Sequence, residues 1–233
     1  MGIAENIRDF KALMPEGVEM VAVSKFHPVS AVMQAYNAGQ RLFGESRVQE
    51  FLEKERELPK DIIWHFIGHL QTNKVKPIIG KVSLIESVDS CRLLELIDKE
   101  SEKAGVLTDV LLQVHVAAEE AKFGFYPDEL RELFTGGMLQ CLKATQIRGI
   151  MGMATNTEDE KRIRADFAIL HSLFLEIRRN LETQGSTGEF KECGCFKAGF
   201  DKLSMGMSGD WQIAISEGSN IVRIGSAIFG SRY

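Results

Sequence analysis

Eight short apolar, largely β-branched runs recur along this chain, and the segments between them carry helical spacing. The runs are "VEMVAVS" (18–24), "RLFG" (41–44), "IIWHFIG" (62–68), "VSLIESV" (82–88), "DVLLQVHV" (109–116), "QIRGIMGM" (146–153), "KLSMGMS" (202–208) and "IVRIGSAIFG" (221–230). Between them lie "SAVMQAYNAG", "ESRVQEFLEKEREL", "TNKVKPIIG", "SCRLLELIDKESEKAG", "YPDELRELFTGG", the long "TEDEKRIRADFAILHSLFLEIRRNLE" and "GDWQIAISEG". Strands that read as near-continuous apolar runs are buried on both faces, which requires a parallel sheet covered by helices. Eight such units in 233 residues predict an α/β fold, a single (β/α)8 TIM barrel over residues 1–233, with residues 1–14 as an extra N-terminal helix. An open doubly wound sheet is the competitor. It would carry a glycine-rich phosphate loop after the first strand, where this chain has "SKFHPVS". The one irregular insert, "TQGSTGEFKECGCFKAG" (183–199), reads as a long, mobile loop.

Composition narrows the function classes. A 44% hydrophobic content fills one large core, and a formal charge of −5 with a pI near 5.6 leaves no general cationic face for nucleic acid or an anionic membrane surface. The start, "MGIAENIRDFKALMP", is charged throughout and lacks the apolar centre of a secretory signal, and Asn6 breaks the myristoylation pattern. No stretch is apolar for long enough to cross a bilayer. A soluble, cytoplasmic protein is expected. Four cysteines do not make a disulfide framework. Cys193 and Cys195 form a Cys-x-Cys pair without further metal ligands beside them, and Cys91 and Cys141 read as isolated helix or core residues.

In a barrel of this kind the functional groups gather at the C-terminal ends of the strands. Lys25 ends the first run and would point into the mouth. A lysine amine in a partly desolvated pocket can attack an aldehyde or ketone to form a Schiff base, whereas a lysine at a strand end can equally run its stem along apolar surface with its charge in water. The eighth run places Arg223 inside a strand, with Gly225 and Ser226 where the chain turns into a helix, a setting that lets amides and a hydroxyl approach a phosphate. The seventh adds Ser204 and Ser208, with Gly206 and Gly209 beside them. An aldehyde-seeking lysine and a phosphate cradle in one mouth suggest one ligand carrying both groups, and pyridoxal 5'-phosphate (PLP) fits. In "WHFIGHLQTNK", His65 and Phe66 alternate along a strand, one facing the barrel and one the helices, and His69 falls at the mouth as a hydrogen-bonding neighbour. His27, His115 and His171 show no metal-ligand spacing, and Lys74 and Lys122 are either mouth or solvated loop residues.

Six ordered motifs, "AVSKFHP", "LFGESRVQEF", "WHFIGHLQTNK", "IRGIMGMAT", "LSMGMSGDWQIAISEGS" and "VRIGSAIFG", together resemble the pyridoxal phosphate homeostasis proteins, the YggS/PROSC family, from about Val21 to Gly230. The resemblance implies a barrel like the N-terminal domain of alanine racemase, holding PLP, and a monomer. It implies that Lys25 is the Schiff-base lysine, that Arg223 faces the pyridine nitrogen, and that Ser204, Gly225 and Ser226 bind the phosphate, with Ser208 a weaker candidate. Met205 and Met207 would pack near the ring or fill the core. Where the family usually has Asn this chain has Ser46, a shorter group whose contact to the cofactor is thereby in doubt.

Two functions follow from such a site. One is an intracellular PLP-homeostasis protein that stores the cofactor or delivers it to PLP-dependent apo-enzymes, without robust turnover. The other is an amino-acid racemase, which needs acid/base groups on opposite faces of the substrate Cα. In alanine racemase-like enzymes the second group is a tyrosine from an additional domain. Here the tyrosines are Tyr36, Tyr126 and Tyr233, none an evident second base, so the non-catalytic reading leads. A Schiff-base aldolase using Lys25 without PLP is a third possibility, separable by whether the protein carries the yellow cofactor.

Overall fold

The computed structural model describes residues 2–119, 123–187, 194–196 and 198–230. Eight parallel strands close into a barrel in chain order. They are β1 (Glu19–Val23), β2 (Leu42–Glu45), β3 (Ile63–Phe66), β4 (Leu84–Val88), β5 (Thr108–His115), β6 (Thr145–Met153), β7 (Lys202–Met207) and β8 (Ile221–Ile224). Closure is made by β1 against β8, with Glu19 opposite Ile221 and Ala22 opposite Ile224. The expected strands and the barrel are therefore observed.

Helices α1 (Ile3–Leu13), α2 (Val29–Asn37), α3 (Val48–Glu57), α4 (Cys91–Ala104), α5 (Pro127–Thr135), α6 (Glu160–Thr187), α7 (Trp211–Ser216) and α8 (Ser226–Phe229) complete the chain. Local sequence sets their ends. Ser90 caps α4 by accepting the Leu93 N–H at 3.4 Å, and Gly105 stops it in the left-handed region at φ 68°.

Two expectations are corrected. "TNKVKPIIG" forms only a short 3-10 turn at Thr72–Lys74, because Pro77 has no N–H to continue a helix. As expected, β8 ends at Ile224 and Gly225 turns the chain into α8. The insert at 183–199 begins as helix: α6 runs on to Thr187, with Thr183 Oγ1 donating to the Arg179 carbonyl at 2.9 Å, and Gly194–Phe196 is a 3-10 turn. Cys193 lies outside the described residues. Cys91, the first residue of α4, and Cys141, in the 3-10 turn at Gly137–Cys141, are both exposed.

Period-two alternation divides the apolar side chains into two sets. Outward residues pack under the helices: Trp64 on β3, for example, meets the rings of Phe43 on β2 and Phe51 on α3 at 5.8 and 5.7 Å. Inward residues Val21, Leu84, Leu111, Met151 and Ile221 form a separate cluster inside the barrel. Each such side chain contributes roughly 1.5–3 kcal/mol on burial. Gly149 lets β6 pass close to β7, since a Cβ there would lie 1.8 Å from the Lys202 carbonyl oxygen. Among the described residues no helix is long and apolar enough to cross a membrane.

Candidate functional site

β1 ends at Val23, and the next residues carry the chain onto the C-terminal rim before Pro28 opens α2. Alternation puts Val21, Val23 and Lys25 on one face. Val21 belongs to the inner cluster, while Val23 and Lys25 line a cavity of about 270 Å³. His27 shares its wall with Ser208 and Gly209 after β7, Arg223 on β8, and Gly225 and Ser226 beyond it; Ile67, Met153 and Met207 supply apolar surface. Ser208 joins the two turns, its Oγ accepting the N–H of Gly225 at 3.1 Å and of Ala227 at 3.5 Å.

Arg223 is buried, and its guanidinium rests on a polar layer inside the barrel. Nη2 donates to the Gly152 carbonyl at 3.0 Å and Nη1 to Ser204 Oγ at 2.5 Å. Ser204 donates in turn to Glu86 Oε2 at 2.6 Å, and His65 Nδ1 pairs with Glu86 Oε1 at 2.6 Å. Burial pushes the Glu86 carboxyl up, but the His65 hydrogen bond and charge, the Arg223 charge and the Ser204 hydrogen bond together outweigh it and hold it below the usual carboxylate range. Burial likewise depresses Arg223, against the opposing pull of Glu86 and Asp210. A carboxylate beneath a guanidinium keeps the latter's charge compensated where water cannot.

A second polar group lies on the helix side of β1 and β2. Lys54 Nζ reaches the Ser24 carbonyl, Glu45 Oε1 and Glu50 Oε1, each at 2.7 Å, while Ser24 Oγ donates to Glu45 Oε1 at 2.6 Å. Burial raises the Glu45 carboxyl despite Lys54 and Ser24.

The structure brings together Lys25, Met207, Ser208, Arg223, Gly225 and Ser226 from the candidate cofactor residues singled out in sequence. It separates the others. Ser204, expected at the phosphate, is fully buried, bonded to Glu86 and Arg223, and is not among the residues that line the cavity. Met205 points the other way, into the core under the helices, whereas Met207 does line the cavity. Ser46 and His69 line a neighbouring cavity of about 370 Å³ with Arg47 and Lys74. There His69 pairs with Asp89 at 2.9 Å and stacks on Phe123 at 3.8 Å, and Ser46 Oγ is buried without a hydrogen-bond partner among the described residues. Lys122 and Tyr233 lie outside the described residues. Tyr36 bonds Asp61 and Tyr126 meets His115 edge-on; neither lines the Lys25 cavity. Sequence reading missed Glu86, Glu45 and Lys54. The signal was a glutamate inside an apolar run, which needs a buried partner.

The cavity fits a small planar aldehyde that carries a phosphate: one primary amine, hydroxyls and glycine amides at two adjacent turns, a guanidinium at the inner wall, and apolar sides for a ring. Among the described residues no cluster of side chains suits a metal ion. A barrel with a lysine at the end of its first strand and this floor and rim defines an alanine racemase-like domain, and the profile of that family, "Alanine racemase, N-terminal domain", matches residues 2–233. Within it, the chain belongs to the pyridoxal phosphate homeostasis proteins. It is 39% identical over 215 residues to the one of Aquifex aeolicus (92% of this chain, 87% of that one), and 40% identical over 219 residues to that of Schizosaccharomyces pombe (92% and 84%). Among solved structures, PipY of Synechococcus elongatus PCC7942 with PLP bound is 34% identical, with a TM-score of 0.83 over 98% of this chain and 100% of that one. An alanine racemase of Clostridium difficile 630, at 13% identity and a TM-score of 0.74, shares the fold; this chain spans 57% of its length.

Proposed function

We propose that this chain, as one PLP-binding barrel domain, holds pyridoxal 5'-phosphate in the Lys25 cavity and serves in its homeostasis, storing it or handing it to apo-enzymes, without robust catalytic turnover. The observation that carries this is the meeting, in one cavity, of Lys25 from the first strand with Arg223, Gly225 and Ser226 of the last. A relative solved with PLP bound supports it.

Bound there, PLP supplies an aldehyde that an amine can capture and a ring that can accept electrons. Lys25 Nζ is the primary amine that would hold the aldehyde as a Schiff base. Ser226, with the turns at Ser208–Gly209 and Gly225, binds the phosphate. Arg223, at the inner wall, would face the pyridine nitrogen and disfavour a second positive charge on it, which would weaken the ring as an electron sink.

The test is an absorption spectrum of purified protein with PLP, before and after borohydride reduction, with peptide mapping and an alanine racemisation assay. A band trapped on Lys25, lost in Lys25→Ala, with no racemisation, is expected. Trapping only on other lysines, or no binding, overturns the reading, and efficient racemisation overturns its non-catalytic part.

A further inference from the structure

The backbone on either side of Lys25 is fastened from outside the barrel. The carbonyl of Ser24, just before it, accepts from Lys54 Nζ, and the amide of Phe26, just after it, donates to Glu50 Oε1 at 2.5 Å. Phe26 is held at φ 68°, in the left-handed region that a bulky residue avoids, and relaxes unless its neighbours fix it. The Arg47 guanidinium sits over the Phe26 ring at 4.5 Å. Both carboxylates converge on Lys54, whose three N–H donors meet three acceptors. Lys54 and Glu50 stand one turn apart on α3, and Lys54 and Glu45 are buried. Lys54 does not line the cavity.

We propose that Lys54, Glu50 and Glu45 are positioning residues for Lys25: an ion-pair network that locks the Ser24–Phe26 backbone and thereby aims the reactive amine. The network acts through the backbone, and none of its three side chains lines the cavity. Attack on an aldehyde depends steeply on approach geometry, so loosening the mount slows capture while the phosphate contacts, which arise from β7 and β8, are untouched. The inference rests on the proposed capture of PLP by Lys25.

The test uses the full chain and four variants: Glu50→Ala, Glu50→Gln, Lys54→Met and Lys54→Arg. Capture is followed as the rate of PLP attachment at Lys25. Pyridoxine 5'-phosphate, which lacks the aldehyde, reports the remaining contacts by equilibrium titration, and hydrogen exchange of the Phe26 amide reports the mount without any ligand. Glu50→Ala, whose side chain is partly exposed and whose helix tolerates alanine, is expected to slow capture by about tenfold or more, speed Phe26 exchange, and leave pyridoxine 5'-phosphate affinity within about twofold. Glu50→Gln keeps an acceptor for the Phe26 amide and is expected to restore most of the rate. Lys54→Met should follow Glu50→Ala and Lys54→Arg fall between it and wild type. Unchanged capture in Glu50→Ala overturns the inference, as does an equal loss of pyridoxine 5'-phosphate binding, which would mark a merely structural role. If wild type fails to attach PLP at Lys25, the proposed function fails, and the exchange of Phe26 alone decides whether the network holds the backbone.

Discussion

Oε2 of Glu86, on β4, lies 2.6 Å from the hydroxyl of Ser204, on β7, across the inside of the barrel, and that hydroxyl in turn receives Arg223. One carboxylate therefore supports the guanidinium at the cavity wall through a serine that was expected to hold phosphate. Replacing Glu86 by alanine leaves Arg223 buried without its compensating charge and His65 without its partner. A loss of about 3–5 kcal/mol is expected, read as a shift of the urea midpoint with the slope unchanged.

The two buried glutamates respond to acid in opposite senses. Glu86 is held below the usual carboxylate range, so its stabilisation is complete above that range and drains away as pH falls through its lowered value. Glu45 is raised, so its ionisation costs stability above its folded value, and the cost is relieved as pH falls toward the usual range. Denaturation curves between neutral pH and the acid limb should flatten in Glu86→Gln and steepen in Glu45→Gln.

Ser208 spans the turns after β7 and β8 by accepting two amides. Ser208→Ala frees the amides of Gly225 and Ala227 from that hydroxyl and removes the tie between the turns. About a tenfold weaker equilibrium affinity for pyridoxine 5'-phosphate is expected, corresponding to about 1.4 kcal/mol, with the fold intact by circular dichroism.

At Gly149 an alanine would place its Cβ 1.8 Å from the Lys202 carbonyl at φ 154°. Strand β6 would have to part from β7. We expect a loss of about 3 kcal/mol or more, seen as a fall in thermal midpoint, whereas Gly137→Ala, with open space around it, should cost little.

Lys25 and Arg223 were legible in the sequence because a charged side chain at a strand end or inside an apolar run has few places to go in a barrel. Ser204 and Ser208 were not separable by the same reasoning. They are four residues apart and share a parity, but the register of β7 against β8 shifts between Ser204 and Met207, and Gly206 takes φ 96°. Ser204 lies within β7 and enters the floor, whereas Ser208 lies past the end of the strand, at the rim. The Lys54 network was illegible for a different reason: beyond Glu50 one turn away on α3, its partners lie 9 and 30 residues away, and only the pairing of β1 with β2 brings them together. The helix expected between β3 and β4 had the right apolar count but a proline where a continuous ladder needed a donor.

The inner cluster of Val21, Leu84, Leu111, Met151 and Ile221 stoppers the barrel beneath the polar layer. The Lys25 cavity lies above that plug, at the C-terminal rim of the barrel, and opens there. Arrivals and departures share that opening. A newcomer cannot push the occupant out from behind, so turnover of the bound molecule is set by how often the occupant lets go, and flooding the solution with replacement should leave that clock unchanged.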